Sequence, residues 1–290
     1  MSTKEGYIPF THLGQTFETY FKTVGDLDNP TRPPLVVIHG GPGFTHDYLL
    51  PHTDLANQST PVIFYDQVGN GRSSHFSKEH MPPLNIEFFV AELENLLKYF
   101  GIQDEFHIVG HSWGGMLAAE FAVRRHPKGL KRLVISNSPA AVALRVESTN
   151  DLLKKFPRSV QDAIAKGEAE DGSAWRDAIM AFYAQHGCRA QPFPEELVRT
   201  FAYAFGEKGD RTVARAGLTR HWSIVDRVHD VDVPTLVISG RYDFVQDYVT
   251  EAYAKKIPGA KWVKFGASSH MPFWEERSRH MEVVGKFLKG

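Results

Sequence analysis

The hydrophobic pattern switches between two periods along the first half of the chain. Leu35-Val36-Val37-Ile38 is a short run without a polar break, ending at His39, as expected of a strand covered on both faces. The runs Val62 to Tyr65, Phe106 to Val109, Leu133 to Ile135 and Leu236 to Ile238 repeat that signature. Gln15 to Val24 instead alternates apolar and polar residues, which predicts a half-exposed strand near a sheet edge. Between these runs the period becomes helical. Phe89, Leu93, Leu96, Leu97 and Phe100 fall on one face of a helix spanning Glu87 to Phe100. A second helical stretch, Met116 to Arg125, ends at His126-Pro127 because the residue before a proline avoids helical geometry. Strands alternating with helices predict an α/β architecture with a mostly parallel central sheet and helices on both faces.

The rhythm breaks from roughly Ala143 to Val228. No buried-strand run occurs there, only helix-like segments punctuated by Pro157, Gly167, Gly172, Gly187, Pro192, Pro194 and Gly209. The sheet pattern resumes at Thr235. Residues 1–140 and 230–290 are therefore expected to form the core, with 141–229 inserted as a helical cap before the last strands. A cap over the carboxyl ends of the strands would act as a lid, since ligands bind at those ends.

Composition narrows the choice of partner. With 290 residues, 42% of them hydrophobic and 23% charged, the chain is long enough to bury a full core. A net charge of −1 gives no reason to expect nucleic acid or an acidic membrane surface as partner. A small molecule or short peptide is the expected partner, with monomer and homo-oligomer both open. The single cysteine, Cys188, excludes an intrachain disulfide and fits a reducing compartment. Met1 to Gly6 lacks the apolar run of a signal peptide, so a cytoplasmic location is expected. His39, His46 and His52 form no H-E-x-x-H or comparable ligand spacing, so neither metal nor cofactor is expected.

Candidate chemistry enters with Gly110-His111-Ser112-Trp113-Gly114, a Gly-x-Ser-x-Gly motif that follows a buried strand and opens a helix. A serine on such a strained turn is lifted clear of the sheet, and the helix beginning at Trp113 turns unpaired N–H groups toward it. Ser112 is the expected nucleophile. His39-Gly40-Gly41-Pro42-Gly43 directly follows the Leu35 strand, and a backbone that must approach a developing oxyanion needs glycine. Gly41 and Trp113 are the expected oxyanion donors. Asp243 and His270 lie in loops past the Leu236 strand and the strand-like Lys261 to Phe265 segment. Their order after Ser112 is that of an α/β-hydrolase triad, with His270 as general base and Asp243 as its orienting acid. His107 and His111 flank the nucleophile on its own strand and turn and are read as structural.

Taken together, these motifs resemble the proline iminopeptidase (prolyl aminopeptidase) family of α/β-hydrolases and its L-amino acid amide hydrolase relatives. The likeness is carried by His39 to Gly43, His46-Asp47-Tyr48, Tyr65-Asp66-Gln67, Gly69 to Ser73, Ser112 to Gly115, Trp222 to Asp226, Ser239 to Asp243 and Ser269 to Pro272. It implies metal-free hydrolysis of a short amide or N-terminal residue whose acyl side carries a free amine. The resemblance also implies two carboxylates around that amine: a Glu immediately after the triad Asp and a second acid in the cap. Here Phe244 stands at the first position. Losing one carboxylate beside a partly buried ammonium costs on the order of 2–5 kcal/mol, roughly 30- to several-thousand-fold in affinity. In the cap, Gly209 to Val213 carries no Glu where the family pattern would put the second acid. Glu207 and Asp210 are read as surface residues first and as candidates to compensate second, and Gly40 and Phe244 complete the candidate substrate-binding set.

Three functional readings follow. The first is an aminopeptidase or amidase using a Ser-His-Asp triad. The second is an esterase, lactonase or biosynthetic acyl hydrolase acting on a neutral molecule. The third is a ligand-binding protein that keeps the hydrolase fold.

Overall fold

The computed structural model describes residues 2–76, 82–206 and 209–290. Its sheet has the order β1-β2-β4-β3-β5-β6-β7-β8. The strands are β1 (Thr3–His12), β2 (Gln15–Val24), β3 (Leu35–Ile38), β4 (Val62–Tyr65), β5 (Phe106–His111), β6 (Leu130–Ser136), β7 (Thr235–Gly240) and β8 (Lys261–Phe265). Among the described residues β2 runs antiparallel to both β1 and β4, and the ladders from β4 to β8 are all parallel. The edge strand β1 went unread in the sequence, and it pairs with β2 along their whole length, from Thr3–Val24 to His12–Gln15.

Successive residues of the central strands serve opposite faces of the sheet, as the two-residue period requires. Val36, Ile38, Ile63, Ile108, Leu133, Ile135 and Val237 pack with α1 (Ile86–Tyr99) and α2 (Trp113–Arg125). Their neighbours Leu35, Val37, Val62, Phe64, Val109, Val134, Leu236 and Ile238 pack against Met281, Val284 and Leu288 of the C-terminal helix and against Tyr48, Leu49 and Leu55. The last three lie in a 3₁₀ stretch, Asp47–Gln58. Asn85 caps α1 by accepting from the Phe88 N–H at 3.0 Å, the role for which a short polar side chain suits this position. Phe88, Phe89, Leu93 and Leu96 on that helix are fully buried, each contributing about 1.5–3 kcal/mol by removal of apolar surface from water. Glu92 is buried among them, accepting from Thr19 Oγ1 at 2.7 Å and the Val68 N–H at 2.9 Å.

Between β6 and β7 the chain forms α3 (Val142–Leu153), α4 (Arg158–Lys166), α5 (Gly172–His186), α6 (Glu195–Phe205) and α7 (Thr212–Arg215). Leu152, Phe156 and Phe182 of this insertion cluster with Phe244, Val245 and Val249 beyond β7. Ser148 Oγ donates to the Phe244 carbonyl at 2.6 Å. The insertion is thus tied to the loop that follows β7. The core closes with α8 (Asp247–Lys256), α9 (Pro272–Glu275) and α10 (Arg277–Lys289). Among the described residues, no helix is long and apolar enough to cross a membrane.

Candidate active site

At the end of β5 the chain turns so sharply that Ser112 takes φ 54° and ψ −119°, a conformation that side chains other than glycine rarely adopt. The surrounding glycines have steric reasons. A Cβ on Gly110 would meet the Gly114 carbonyl oxygen at 2.3 Å, and one on Gly114 would lie 2.2 Å from the Ile38 oxygen. A Cβ on Gly115 would press on the side chain of Ser138 at 2.6 Å. The strand-to-helix turn therefore sits directly against the end of β3. As the first residue of α2, Trp113 carries an N–H with no carbonyl of its own helix to meet.

The glycine loop packs beside this turn. Gly41 has φ +112°, and a Cβ there would be 2.5 Å from the Gly43 nitrogen. Gly41, Pro42, Ser112, Trp113 and His270 all line one cavity of about 280 Å³. Gln67 fixes the loop's entry: its N–H donates to His39 Nε2 at 2.9 Å, and its Nε2 donates to the His39 carbonyl at 3.0 Å. Its Oε1 accepts from the Trp113 indole at 2.8 Å. Asp66 holds the loop's exit, accepting from the N–H and Nδ1 of His46 at 2.7 and 2.8 Å and from the Arg72 N–H at 2.9 Å. Arg72 in turn forks onto Asp47 at 2.9 and 3.1 Å. The segment Tyr65-Asp66-Gln67 and Arg72 thus brace the glycine loop from the neighbouring strand end.

Asp243 and His270 meet at 2.7 Å, Oδ1 to Nδ1. Their loops touch because Gly240 carries no side chain; a Cβ there would fall 1.9 Å from the Ser269 oxygen. The carboxylate is oriented by two further donors, the Val245 N–H on Oδ1 at 2.8 Å and Asn137 Nδ2 on Oδ2 at 2.7 Å. Both members of the pair are buried. Burial pushes the His270 imidazolium down, so the ring stands neutral at physiological pH, and it pushes the Asp243 carboxyl up against those hydrogen bonds. Glu275 anchors the His270 loop by accepting from the Ser269 N–H and hydroxyl at 2.9 and 2.8 Å.

His111 adopts a tautomer set by its neighbours. The Gly40 N–H donates to Tyr48 Oη at 2.8 Å, so the Tyr48 hydroxyl proton goes to His111 Nδ1 at 2.6 Å. The opposite nitrogen, Nε2, then donates to the His270 carbonyl at 2.8 Å. Desolvation holds His111 neutral. This chain of bonds joins the glycine loop, the residue before the elbow serine and the His270 loop.

The candidate substrate-binding residues separate. Phe244 lines the cavity, its ring centroid 4.1 Å from that of His270. Gly40 does not line it: its N–H is taken by Tyr48, and a Cβ there would crowd Ser112 Cβ at 3.0 Å, so its part is close packing rather than contact with substrate. Asp210 also lies apart from the cavity. Its carboxylate is bound to His75 Nδ1 and accepts from the Thr212 N–H at 2.8 Å, outside the cavity lining. Glu207 lies outside the described residues. Of the cap aromatics, Tyr183 lines the cavity, and it also borders an adjoining space of about 230 Å³ together with Phe182, Phe205 and Phe244. Two residues with contacts here escaped sequence reasoning. Asn137, with φ 52°, offered no motif beyond its place at the end of β6. Arg145, also in the lining, looked like any surface arginine of a helix.

Among the described residues no group of three or more His, Cys, Asp or Glu side chains is placed to hold a metal ion.

An elbow serine, a glycine loop and a buried His–Asp pair at the carboxyl ends of a parallel sheet define the α/β-hydrolase class, and the family described as alpha/beta hydrolase fold matches residues 33–277. A proline iminopeptidase of Thermoplasma volcanium is 35% identical over 295 residues, covering 99% of this chain and 97% of that protein. The chain belongs to the proline iminopeptidase family and is a hydrolase of that family. Among solved structures, VinJ superposes with a TM-score of 0.88 at 35% identity, covering 99% of this chain and 98% of VinJ. The proline iminopeptidase of Mycobacterium smegmatis superposes with 0.81 at 32% identity, covering 99% and 98%.

Proposed function

We propose that this protein cleaves a small amide or ester through an acyl-enzyme formed on Ser112, acting on an acyl group that is not anchored by a free amine. The observation that carries the mechanism is the convergence of a strained elbow serine and the His270–Asp243 pair on one cavity.

In this reading His270 takes the Ser112 hydroxyl proton as Oγ bonds to the substrate carbonyl carbon. The N–H groups of Gly41 and Trp113 stabilise the resulting oxyanion, one such donor being worth roughly two to three orders of magnitude in rate. The bond to the leaving amine or alcohol then breaks, and His270 returns the proton to it. Water repeats the sequence in reverse: it loses a proton to His270, adds to the acyl carbon, and releases the carboxylic acid and Ser112 Oγ–H. Asp243 holds His270 in the Nδ1–H tautomer and offsets the charge of the transient imidazolium.

The substrate class rests on the lining. No Asp or Glu occurs among the described residues that line the cavity, whose walls are Phe44, Tyr183, Phe244, Met116, Val142 and Leu218 with Arg145 and Thr219. An ammonium there would lack the counter-charge it needs. Similarity over nearly the whole chain to proline iminopeptidases supports a second reading, removal of an N-terminal residue. Turnover of prolyl-, alanyl- and phenylalanyl-arylamides against short aryl esters separates the two. Faster amine-dependent prolyl turnover would refute the first. Ser112→Ala is expected to lower kcat by several orders of magnitude. Rapid fluorophosphonate labelling at Ser112 is expected of an enzyme, and its absence would leave a binding protein.

A further inference from the structure

The cavity beside Ser112 holds a cation that its mechanism does not use. Arg145 lies in the first turn of α3 and lines this cavity, and it also borders the adjoining apolar space next to Tyr183 and Phe244. Arg145 is half-buried, and it forms no ion pair and no side-chain hydrogen bond among the described residues. The nearest acids on its own helix, Glu147 and Asp151, are exposed, and Asp151 is bound to Lys154 at 2.7 Å. Every other cavity-lining group is neutral at physiological pH, including His270, which burial keeps uncharged.

A guanidinium withdrawn from water without a partner is unfavourable unless a ligand supplies the opposite charge. Its planar fork of donors matches a carboxylate, which it can bind through two parallel hydrogen bonds. Apolar walls from Val142, Tyr183 and Phe244 lower the local dielectric and strengthen that attraction. We propose that Arg145 is the specificity-determining residue for a carboxylate on the substrate, so that the preferred substrate is an anionic amide or ester. This rests on the preceding assignment of the cavity as the substrate site, and it names the group the cavity recognises. A substrate carboxylate has a second effect. The Arg145 charge opposes protonation of His270, and an anion seated on the guanidinium screens that charge, favouring the imidazolium that forms as Ser112 attacks.

Two independent measurements test the proposal. In the first, calorimetric titration of Ser112→Ala with adipate and benzoate, against neutral adipamide and benzamide, reads recognition without turnover. Selective binding of the carboxylates, lost in Ser112→Ala/Arg145→Met and partly kept in Ser112→Ala/Arg145→Lys, is expected. In the second, kcat/KM is compared for 4-nitrophenyl butyrate, mono-4-nitrophenyl adipate and 4-carboxyphenyl butyrate, which place the carboxylate on the acyl or the leaving side. The ratio of charged to neutral substrate is taken within each protein, so that any general loss of activity or folding in a variant cancels. For a half-exposed pair, Arg145→Met is expected to lower one of these ratios by about 10- to 100-fold. Ratios equal in wild type and Arg145→Met, or carboxylate binding that survives Arg145→Met, would overturn the proposal. Turnover retained in Ser112→Ala would instead overturn the triad reading while leaving the binding result to stand by itself.

Discussion

Removing one oxygen atom from Tyr48 should damage both stability and activity, because that atom closes two buried hydrogen bonds at once. Tyr48 is fully buried, and its Oη accepts from the Gly40 N–H and donates to His111 Nδ1. Tyr48→Phe preserves the ring and its packing against Phe44 and Phe273 while leaving a donor and an acceptor without partners. Each buried unsatisfied group costs about 1–3 kcal/mol, so the loss is roughly 2–6 kcal/mol, a large share of the 5–15 kcal/mol typical of a folded domain. The same change frees Gly40, next to the proposed oxyanion donor Gly41, and releases His111, which supports the His270 carbonyl. A partial loss of alignment predicts a fall in kcat of about 10- to 100-fold, short of the loss of a whole donor. Urea denaturation with an aryl-ester assay measures both. Tyr253→Phe is the comparison, since that hydroxyl, also buried, donates to a single carbonyl, that of Pro139, at 2.9 Å. If Tyr48→Phe unfolds within about 0.5 kcal/mol of wild type and keeps its kcat, the linked-loop account is wrong.

Further outcomes follow from the same contacts. Gly114→Ala places a Cβ 2.2 Å from the Ile38 oxygen and 2.7 Å from the His39 oxygen, both backbone atoms that cannot rotate away; a loss of about 3 kcal/mol or insoluble expression is expected, and a soluble variant of wild-type Tm would contradict it. The pH profile of kcat/KM should stay flat down to about pH 6, since His270 must be neutral to accept a proton and burial holds its pKa below the usual 6.5; an acid limb at pH 7 or above would be incompatible with that environment. Burial pushes Glu92 up to about 8 from an unfolded value near 4.5. The folded state therefore binds more protons than the unfolded state between those pH values, and its stability falls as pH rises through that window. Glu92→Gln keeps an oxygen acceptor for Thr19 and Val68 and should remove that fall, on the order of a few kcal/mol between pH 5 and 8. Parallel urea-stability curves for the two proteins would refute it.

What the chain's own pattern determined was the alternation of buried strands and amphipathic helices, and with it the class of fold. Leu35 to Ile38 reads as a double-faced strand because no polar residue interrupts it, and Phe106 to Val109, apolar apart from His107, lies beside it in parallel. Ser112 was legible because its geometry is local: the motif, the strand before it and the helix after it are contiguous. Strand β1 escaped because its pattern is weak: Tyr7 is exposed while Ile8 and Phe10 are buried, and Pro9 interrupts the run. Only tertiary structure decided the partners that no spacing encodes. Asn137 reaches Asp243 across 106 positions, Tyr48 reaches His111 across 63, and His111 reaches the His270 carbonyl across 159. The substrate-facing groups followed the same rule. Asp210 satisfies its charge on His75, Gly40 gives its N–H to Tyr48, and Arg145 turns from a helix of the insertion into the cavity. A side chain's charge is written in the sequence, but whether that charge is already neutralised depends on which distant group the fold sets beside it.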